Sequence, residues 1–546
     1  MSHRSVHPAA EALARHALRT FCAVGAVFAT AGALLLSPAP ALADSSEDWP
    51  MFGQNLQNTA SAQGDDDGKA VSAAASLKPK WTFTTGGDVS ARAAVVKDVA
   101  YFPDWGGNLW AVNAKKGTKV WGKKLSDYGL PANTQSRTSP AVIDGVVYVG
   151  TQEGAWLLAI DAKSGNLKWK SQLESPAVDP YAVITASPAV SGGLVYTGIA
   201  SVEEAMAGFV PGFPCCKARG SVVAVNASTG AIVWKTHMVP PGYSGGGVWG
   251  SNFAIDNERR SVFVGTGNNY SNPTDPAYLA CMAAPGGTPA SCSSPNNFVD
   301  AIVALDTRTG AVKWARKLVT WNQPFVTDGS DDWNVSCFVP PFDNCPSNAG
   351  PDYDFASAPN LITYKAANGK KVTILGAGQK SGIYFALNPD TGAEIWRTQV
   401  GPGSSLGGME WGSASDGKRI YVSIANFYGL PTPVGSGGSW SALDPATGAV
   451  LWQVGDPSGA IALGPLTVAD GVVYAPSMAG AAAAPTMLAL NAATGQTLWS
   501  FASGASVNAG ASVVDGTVYW GSGYAHLGIP GYTGNNKFFA FSKNGK

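Results

Sequence analysis

The chain has 546 residues, of which only 13% are charged, and it carries a formal net charge of −1. With no basic stripe, it offers little electrostatic footprint for nucleic acid or an anionic membrane. Sixty-six glycines and 18 tryptophans point instead to many short strands joined by tight turns.

Residues 1–43 read as a secretory leader. Arg4, Arg15 and Arg19 precede or enter an apolar run from Phe21 to Leu36, and Ala41-Leu42-Ala43 stands before Asp44. No twin arginine is present, and Cys22 lies inside the apolar run, which argues against a lipid anchor. Removing the leader takes away three arginines and one glutamate, so the formal charge moves from −1 to −3. No other stretch is apolar enough to span a membrane. The expected mature protein is soluble and exported to a bacterial periplasm. Residues 44–80 form an N-terminal segment, and 81–546 the folded domain.

From there one phrase, A-x-[D/N]-x-x-x-G-x-x-x-W, recurs along the chain. It appears as Ala111–Trp121, Ala159–Trp169, Ala224–Trp234, Ala304–Trp314, Ala386–Trp396, Ala442–Trp452 and Ala489–Trp499. An eighth copy is split: Ala540-Phe541-Ser542 and Gly545 end the chain, while Trp81 supplies the tryptophan. A repeat broken across the termini is what a closed ring requires, because the last sheet is then completed by a strand from the start. Between tryptophans, β-rich pairs such as Ala141-Val142 and Val146-Val147-Tyr148-Val149 flank Asp-Gly or Gly-Gly turns, a hairpin signal. Two further strands, one ending at Ala-x-[Asp/Asn] and one carrying the tryptophan, make four per repeat. The expected fold is all-β: an eight-bladed β-propeller closed by an N-terminal strand. The repeat overrides the several-domain prior that the length alone suggests. The motif tryptophans are read as structural, each worth at most about 4 kcal/mol of burial.

The spacing between successive tryptophans is 40, 48, 65, 80, 82, 56 and 47 residues. Extra length in such a ring goes into loops on one face, where function concentrates. Insertions near 199–219, 269–298 and 320–355 are therefore expected to cap that face. They hold the six cysteines that follow the leader, and spacing favours Cys281–Cys292 and Cys337–Cys345 as disulfides. Cys215 and Cys216 are left either bonded to each other or paired with distant cysteines.

The tryptophan phrase resembles the docking motif of the pyrroloquinoline quinone (PQQ) dehydrogenases, over essentially the whole mature chain. Asp48-Trp49-Pro50-Met51-Phe52-Gly53, Pro214-Cys215-Cys216-Lys217-Ala218-Arg219-Gly220, Val264 to Tyr270 and Gly350 to Phe355 are similar to the polyvinyl alcohol dehydrogenase branch. The resemblance implies oxidation of alcohols, secondary or polymeric, with PQQ and calcium as cofactors. Carried over by motif, Glu203, Asn268 and Asp354 are the calcium ligands, in keeping with calcium's preference for oxygen. Asp354 is also the catalytic base, with Asp352 as its rival. Ala356, two places after Asp354, argues against a lanthanide.

By the same resemblance Trp249 is the floor under the quinone, and Thr185 and Ser201 contact its carboxylates. Lys380 is the cation at its reactive carbonyls and, with Asp354, a catalytic residue. Arg137, Glu410 and Trp411 occupy equivalent strand starts and are expected to line the channel. The sequence departs from the family in two places. Methanol-dehydrogenase-like members carry a cysteine pair in the second blade, where this chain has Thr138-Ser139, so Cys215-Cys216 in the third-blade insertion is the candidate for that cofactor contact. Leu463-Gly464-Pro465 lacks the family's seventh-blade tryptophan, which implies a wider channel. No Cys-x-x-Cys-His occurs, so haem is not covalently carried here. A separate periplasmic cytochrome c is the expected electron acceptor. The alternative is a non-catalytic scaffold of the outer-membrane assembly type.

Overall fold

A computed structural model describes residues 48–62, 69–250, 252–318, 331–347, 349–526, 528–529 and 531–546. The expected leader lies outside them. The fold is an eight-bladed β-propeller. Seven blades follow in chain order over 94–124, 141–172, 189–237, 254–317, 360–399, 414–455 and 467–501. The eighth combines three strands from 512–543 with Leu77–Thr84, which pairs antiparallel to Lys537–Lys543 as its outermost strand.

The repeated phrase has a local physical reason at each position. In every blade its alanine sits directly across from its tryptophan: Ala111↔Trp121, Ala159↔Trp169, Ala224↔Trp234, Ala304↔Trp314, Ala386↔Trp396, Ala442↔Trp452, Ala489↔Trp499 and Ala540↔Trp81. The register slips by one residue beside each pair, a bulge that sharpens the twist of the outer strand. The Asp or Asn side chain then caps the turn, as when Asn226 Oδ1 accepts from the Ser228 and Thr229 N–H groups, each at 3.0 Å.

Each indole N–H reaches the next blade. Trp81 donates to Ala114 O, Trp121 to Ala162 O, Trp169 to Ala227 O and Trp234 to Thr307 O, at 2.9–3.1 Å. The series continues through Trp314, Trp396 and Trp452, and ends with Trp499 donating to Leu77 O of the closing strand at 2.9 Å. The motif glycine lies against the preceding blade's indole. At Gly230 (φ +75°) a Cβ would fall 2.6 Å from the Trp169 ring, so both space and backbone conformation call for glycine. Apolar residues of facing blades fill the gaps between sheets, as Val222, Ala224 and Trp234 do against Val262, Val264 and Val303.

The insertions pack on one another over one face. A short helix, Glu203–Phe209, lies against the turn at Val335–Cys337, and Asn344 Nδ2 donates to Ala207 O at 3.0 Å. Cys281–Cys292 and Cys337–Cys345 are disulfides as expected, and Cys215 bonds to Cys216. The part of the third insertion at 319–330 lies outside the described residues. Among the described residues no helix is long and apolar enough to cross a membrane.

Candidate functional site

Under those insertions, turns from several blades converge. Trp249 stands in the turn before the inner strand of blade 4, and Asp354 in the turn before that of blade 5. Lys380 occupies a tight turn between the second and third strands of blade 5. Thr185 Oγ1 donates to Trp249 O at 2.9 Å, and Trp249 Nε1 donates to Asp354 Oδ2 at 2.7 Å. Lys380 Nζ ion-pairs with Asp354 Oδ1 at 2.8 Å and Asp352 Oδ2 at 3.0 Å, and lies 5.0 Å from the centre of the Trp249 ring. One connected set therefore holds Thr185, Trp249, Asp354 and Lys380.

The electrostatics are those of a carboxylate-rich pocket. Burial alone would depress the Lys380 ammonium, but Asp352, Asp354, Glu410 and Glu204 outweigh it and hold its pKa well above the ordinary lysine value. Burial pushes Glu204 and Glu410 each up to about 7, against the lowering influence of Lys380. Asp352 is driven well above the carboxylate range, first by burial and then by neighbouring acids including Asp354. Asp331, raised to about 6 by burial, accepts from the Asp352 and Tyr353 N–H groups at 2.9 and 2.7 Å and so shapes the loop that presents Asp354.

The two adjacent glutamates are put to different use. Glu203 Oε2 accepts from the backbone N–H of Lys217 (2.7 Å) and Ala218 (2.6 Å), tying the Cys215–Cys216 hairpin to the helix start. Glu204 is the one within electrostatic reach of Lys380, Asp354 and Asp331. Asn268 spends both amide hydrogens on the carbonyls of Asn269 and Trp333, which leaves its Oδ1 to offer a ligand. It also adjoins the cluster, since a Cβ on the preceding Gly267 would sit 3.2 Å from Asp354 Oδ2.

Other expected contacts are placed elsewhere. Ser201 Oγ donates to Asp179 Oδ1 at 3.2 Å and accepts from Glu203 N. Cys215 Sγ lies 3.9 Å from Tyr270 O and 3.8 Å from Asn334 Nδ2. Tyr270 links that disulfide to the Trp249 turn, because its phenol oxygen would lie 3.0 Å from a Cβ on Gly247. Asp331, Glu204 and Tyr270 were not among the residues picked from sequence. Only Glu204, beside Glu203, carried a signal that could have found it.

Beside this cluster, Trp411 meets Trp249 edge-on at 5.5 Å, and the Arg137 guanidinium lies 4.7 Å above the Trp411 ring. Arg137 and Trp411 line an axial cavity together with Thr185, Arg92 and Phe52 among others. The site thus has an acidic pole at Asp352, Asp354 and Glu204 and a basic pole at the arginines. A planar ligand with anionic groups at one end and a metal-seeking end at the other matches that polarity.

The chain matches the family described as outer membrane protein assembly factor BamB over residues 48–207 and 380–538, together more than half of its length. It is 29% identical to the polyvinylalcohol dehydrogenase of Sphingopyxis sp. (strain 113P3) and 27% identical to that of Pseudomonas sp., in each case over 86% of this chain and 73% of the relative. Among solved structures it is similar to a quinohemoprotein alcohol dehydrogenase from Pseudomonas putida HK5. The TM-score is 0.68 at 19% identity, covering 92% of this chain and 81% of that one, a likeness of fold.

Proposed function

We propose, for a chain that belongs to the propeller family described as outer membrane protein assembly factor BamB, that it is a PQQ-dependent alcohol dehydrogenase. The family match covers blades 1, 2, 6 and 7 and parts of blades 3, 5 and 8, but leaves out residues 208–379, which hold all of blade 4 and the rest of blades 3 and 5. That gap contains Trp249, Asn268, Asp331, Asp352 and Asp354, along with Cys215–Cys216. The two relatives whose similarity runs through the gap are both polyvinylalcohol dehydrogenases. A secondary alcohol, polymeric or not, is accordingly the substrate class we assign.

The observation that carries this reading is the buried set Thr185–Trp249–Asp354–Lys380. A scaffold has no use for a lysine that is 5% exposed and ringed by four carboxyls, since burying such groups is costly unless they serve a ligand or a reaction. Asp354 is fixed on both oxygens, by the Trp249 indole N–H and by Lys380, and is oriented to accept the alcohol proton as general base. Lys380 supplies positive charge where negative charge develops. Trp249 offers a flat face and, through its N–H, the orientation of the base.

The residues also fit the metal. Acids outnumber cations around Lys380, and Asn268 Oδ1, Asp354 and Glu204 or Glu203 offer the oxygen ligands that calcium takes. Among the described residues no three His, Cys, Asp or Glu side chains form a cage by themselves, so the Asn268 amide would be part of the set that holds the ion. When bound, PQQ supplies a two-electron acceptor and calcium a Lewis acid. We place the protein in the periplasm with a separate cytochrome c as acceptor, and take Cys215–Cys216 and Ser201 as peripheral cofactor contacts.

Reconstitution tests this. Apoprotein mixed with PQQ and calcium is expected to bind about one quinone per chain and to reduce a dye when a secondary alcohol is added. Failure of a folded protein to bind quinone in the presence of calcium would leave the ring a scaffold.

A further inference from the structure

Residues 48–62 do not lie on the outside of the ring. They thread its axis and hydrogen-bond to the inner strands of six blades. Trp49 exchanges both backbone bonds with Val95 of blade 1, at 2.7 and 2.8 Å, and Pro50 O accepts from Val142 of blade 2 at 2.7 Å. Leu56 O accepts from Ile255 of blade 4 and Gln57 O from Leu361 of blade 5, at 2.7 and 2.9 Å. Thr59 O accepts from Ser415 of blade 6 and Ala60 O from Val468 of blade 7, at 2.9 and 3.0 Å. The inner strands would otherwise leave these groups unpaired toward the channel. Thr185, Arg137 and Asp354 precede inner strands, whereas this segment pairs with the strands themselves, one level deeper.

Arg92 fastens the segment in place. It is 1% exposed, and its Nη1 donates to Phe52 O at 2.6 Å. Its Nη2 donates to Leu466 O and Thr467 Oγ1 of blade 7, at 2.8 and 3.0 Å. The guanidinium lies 4.7 Å from the Phe52 ring centre and 5.5 Å from that of Trp49. Gly510 of the blade 7–8 turn makes room, since a Cβ there would meet Nη2 at 2.2 Å. Nε has no partner, and among the described residues no carboxylate pairs with this cation. Arg92 and Phe52 both line the axial cavity, and Arg137 is its second guanidinium.

We propose that Arg92 is a positioning residue that latches residues 48–62 as the closed end of the axial cavity, and that a carboxylate-bearing ligand in the cavity and the seated segment stabilise each other. Buried cations favour a counter-charge, and the ligand would bring it. Coupling of this kind is reciprocal: what loosens the segment weakens the ligand by the same factor. The ligand clause rests on the quinone reading above, whereas the latch does not.

Hydrogen exchange on the whole mature protein tests both. In wild type, PQQ with calcium is expected to slow exchange across 49–62 at least tenfold. In Arg92→Gln the segment is expected to exchange at least tenfold faster than in wild type without ligand, while amides of blades 4 and 5 keep their protection. Quinone affinity should fall at least tenfold. Phe52→Ala, which keeps the carbonyl that Arg92 binds, is expected to weaken quinone binding in the same sense and serves if Arg92→Gln does not fold. Quinone uptake by wild type with no change across 49–62 overturns the coupling. Unchanged exchange of that segment in both variants overturns the latch. Absence of quinone uptake by wild type, read by absorbance on the same sample, refutes the quinone reading and the coupling with it, and leaves the latch to be decided by the ligand-free comparison.

Discussion

Replacing Lys380 with methionine isolates the charge balance of the site. Lys380 pairs with Asp354 at 2.8 Å and Asp352 at 3.0 Å, and its side chain is 6% exposed. Removing one partner of a buried pair leaves uncompensated charge, which costs about 3–5 kcal/mol. With an unfolding entropy of about 2.1 cal/mol/K per residue, a ring of roughly 500 residues has about 1 kcal/mol/K, so the melting temperature of metal-free protein should drop by about 3–5 °C. The pH dependence makes the prediction specific. Lys380 lowers the pKa of Asp352, Glu204 and Glu410, and all three are raised despite it. Without Lys380 they rise further, so the folded state binds more protons than the unfolded chain and loses stability as pH climbs past the ordinary carboxylate range. The deficit of Lys380→Met should be largest at pH 8 and should shrink toward pH 5, where the acids are protonated. Calorimetric melts of both proteins from pH 5 to 8, without calcium, measure it. A deficit that is constant across this range, or larger at pH 5, would refute the charge argument.

Asp354→Asn should lower kcat by about 100- to 10,000-fold, the usual worth of a general base, while quinone binding by absorbance titration stays near wild type; wild-type turnover would sink the base assignment. Glu204→Gln should raise the calcium concentration needed for reconstitution at least tenfold, whereas Glu203→Gln should mainly loosen the Cys215–Cys216 hairpin. The opposite order in calcium titrations would assign the ligand role to Glu203, as the sequence resemblance implies. In wild-type apoprotein, Glu410 and Glu204, raised to about 7, predict higher stability at pH 5 than at pH 8, and calcium should flatten that slope by keeping the acids ionised. A slope untouched by calcium would mean that the ion binds elsewhere. Trp234→Ala, which removes an 8% exposed indole and its bond to Thr307 O, should destabilise by about 3–5 kcal/mol in urea unfolding, and a loss under about 1 kcal/mol would contradict the docking role.

The ring was legible because each letter of its repeat answers a local need. Alanine faces the indole across one rung, Asn226 or its counterpart caps a turn, and the glycine takes a positive φ under the neighbouring tryptophan. Such needs recur in every blade, so periodicity reports them. The Trp249, Asp354 and Lys380 set was legible only by resemblance, since Trp249 belongs to blade 4 and the other two to separate turns of blade 5, and nothing local in their sequence brings them together. The choice between Glu203 and Glu204 was not readable at all. Successive residues of a helix differ by about 100° in direction, so a one-residue difference decides which carboxylate faces Lys380 and which caps the hairpin. Asp331 was missed for a related reason: it acts on the backbone of Asp352 and Tyr353 about twenty residues away, through a loop with no periodic pattern.

The same division explains how one blade plan can serve both a scaffold and an enzyme. Every docking contact lies in the motif strands and turns, and cutting back the insertions of blades 3 to 5 would leave those contacts in place. Most of the chemistry sits in one stretch: residues 208–379, outside the family match, hold blade 4 with parts of blades 3 and 5 and carry Trp249 and Asp354 in turns between their strands, whereas the rest of the ring follows the family. Lys380, at the first residue where the match resumes, is where the two meet. A rigid ring holds the loop ends in place, and function can then be changed by loop content. In this chain, then, the ring motif carries the architecture, whereas the buried lysine with its two paired aspartates is the feature that points to redox chemistry.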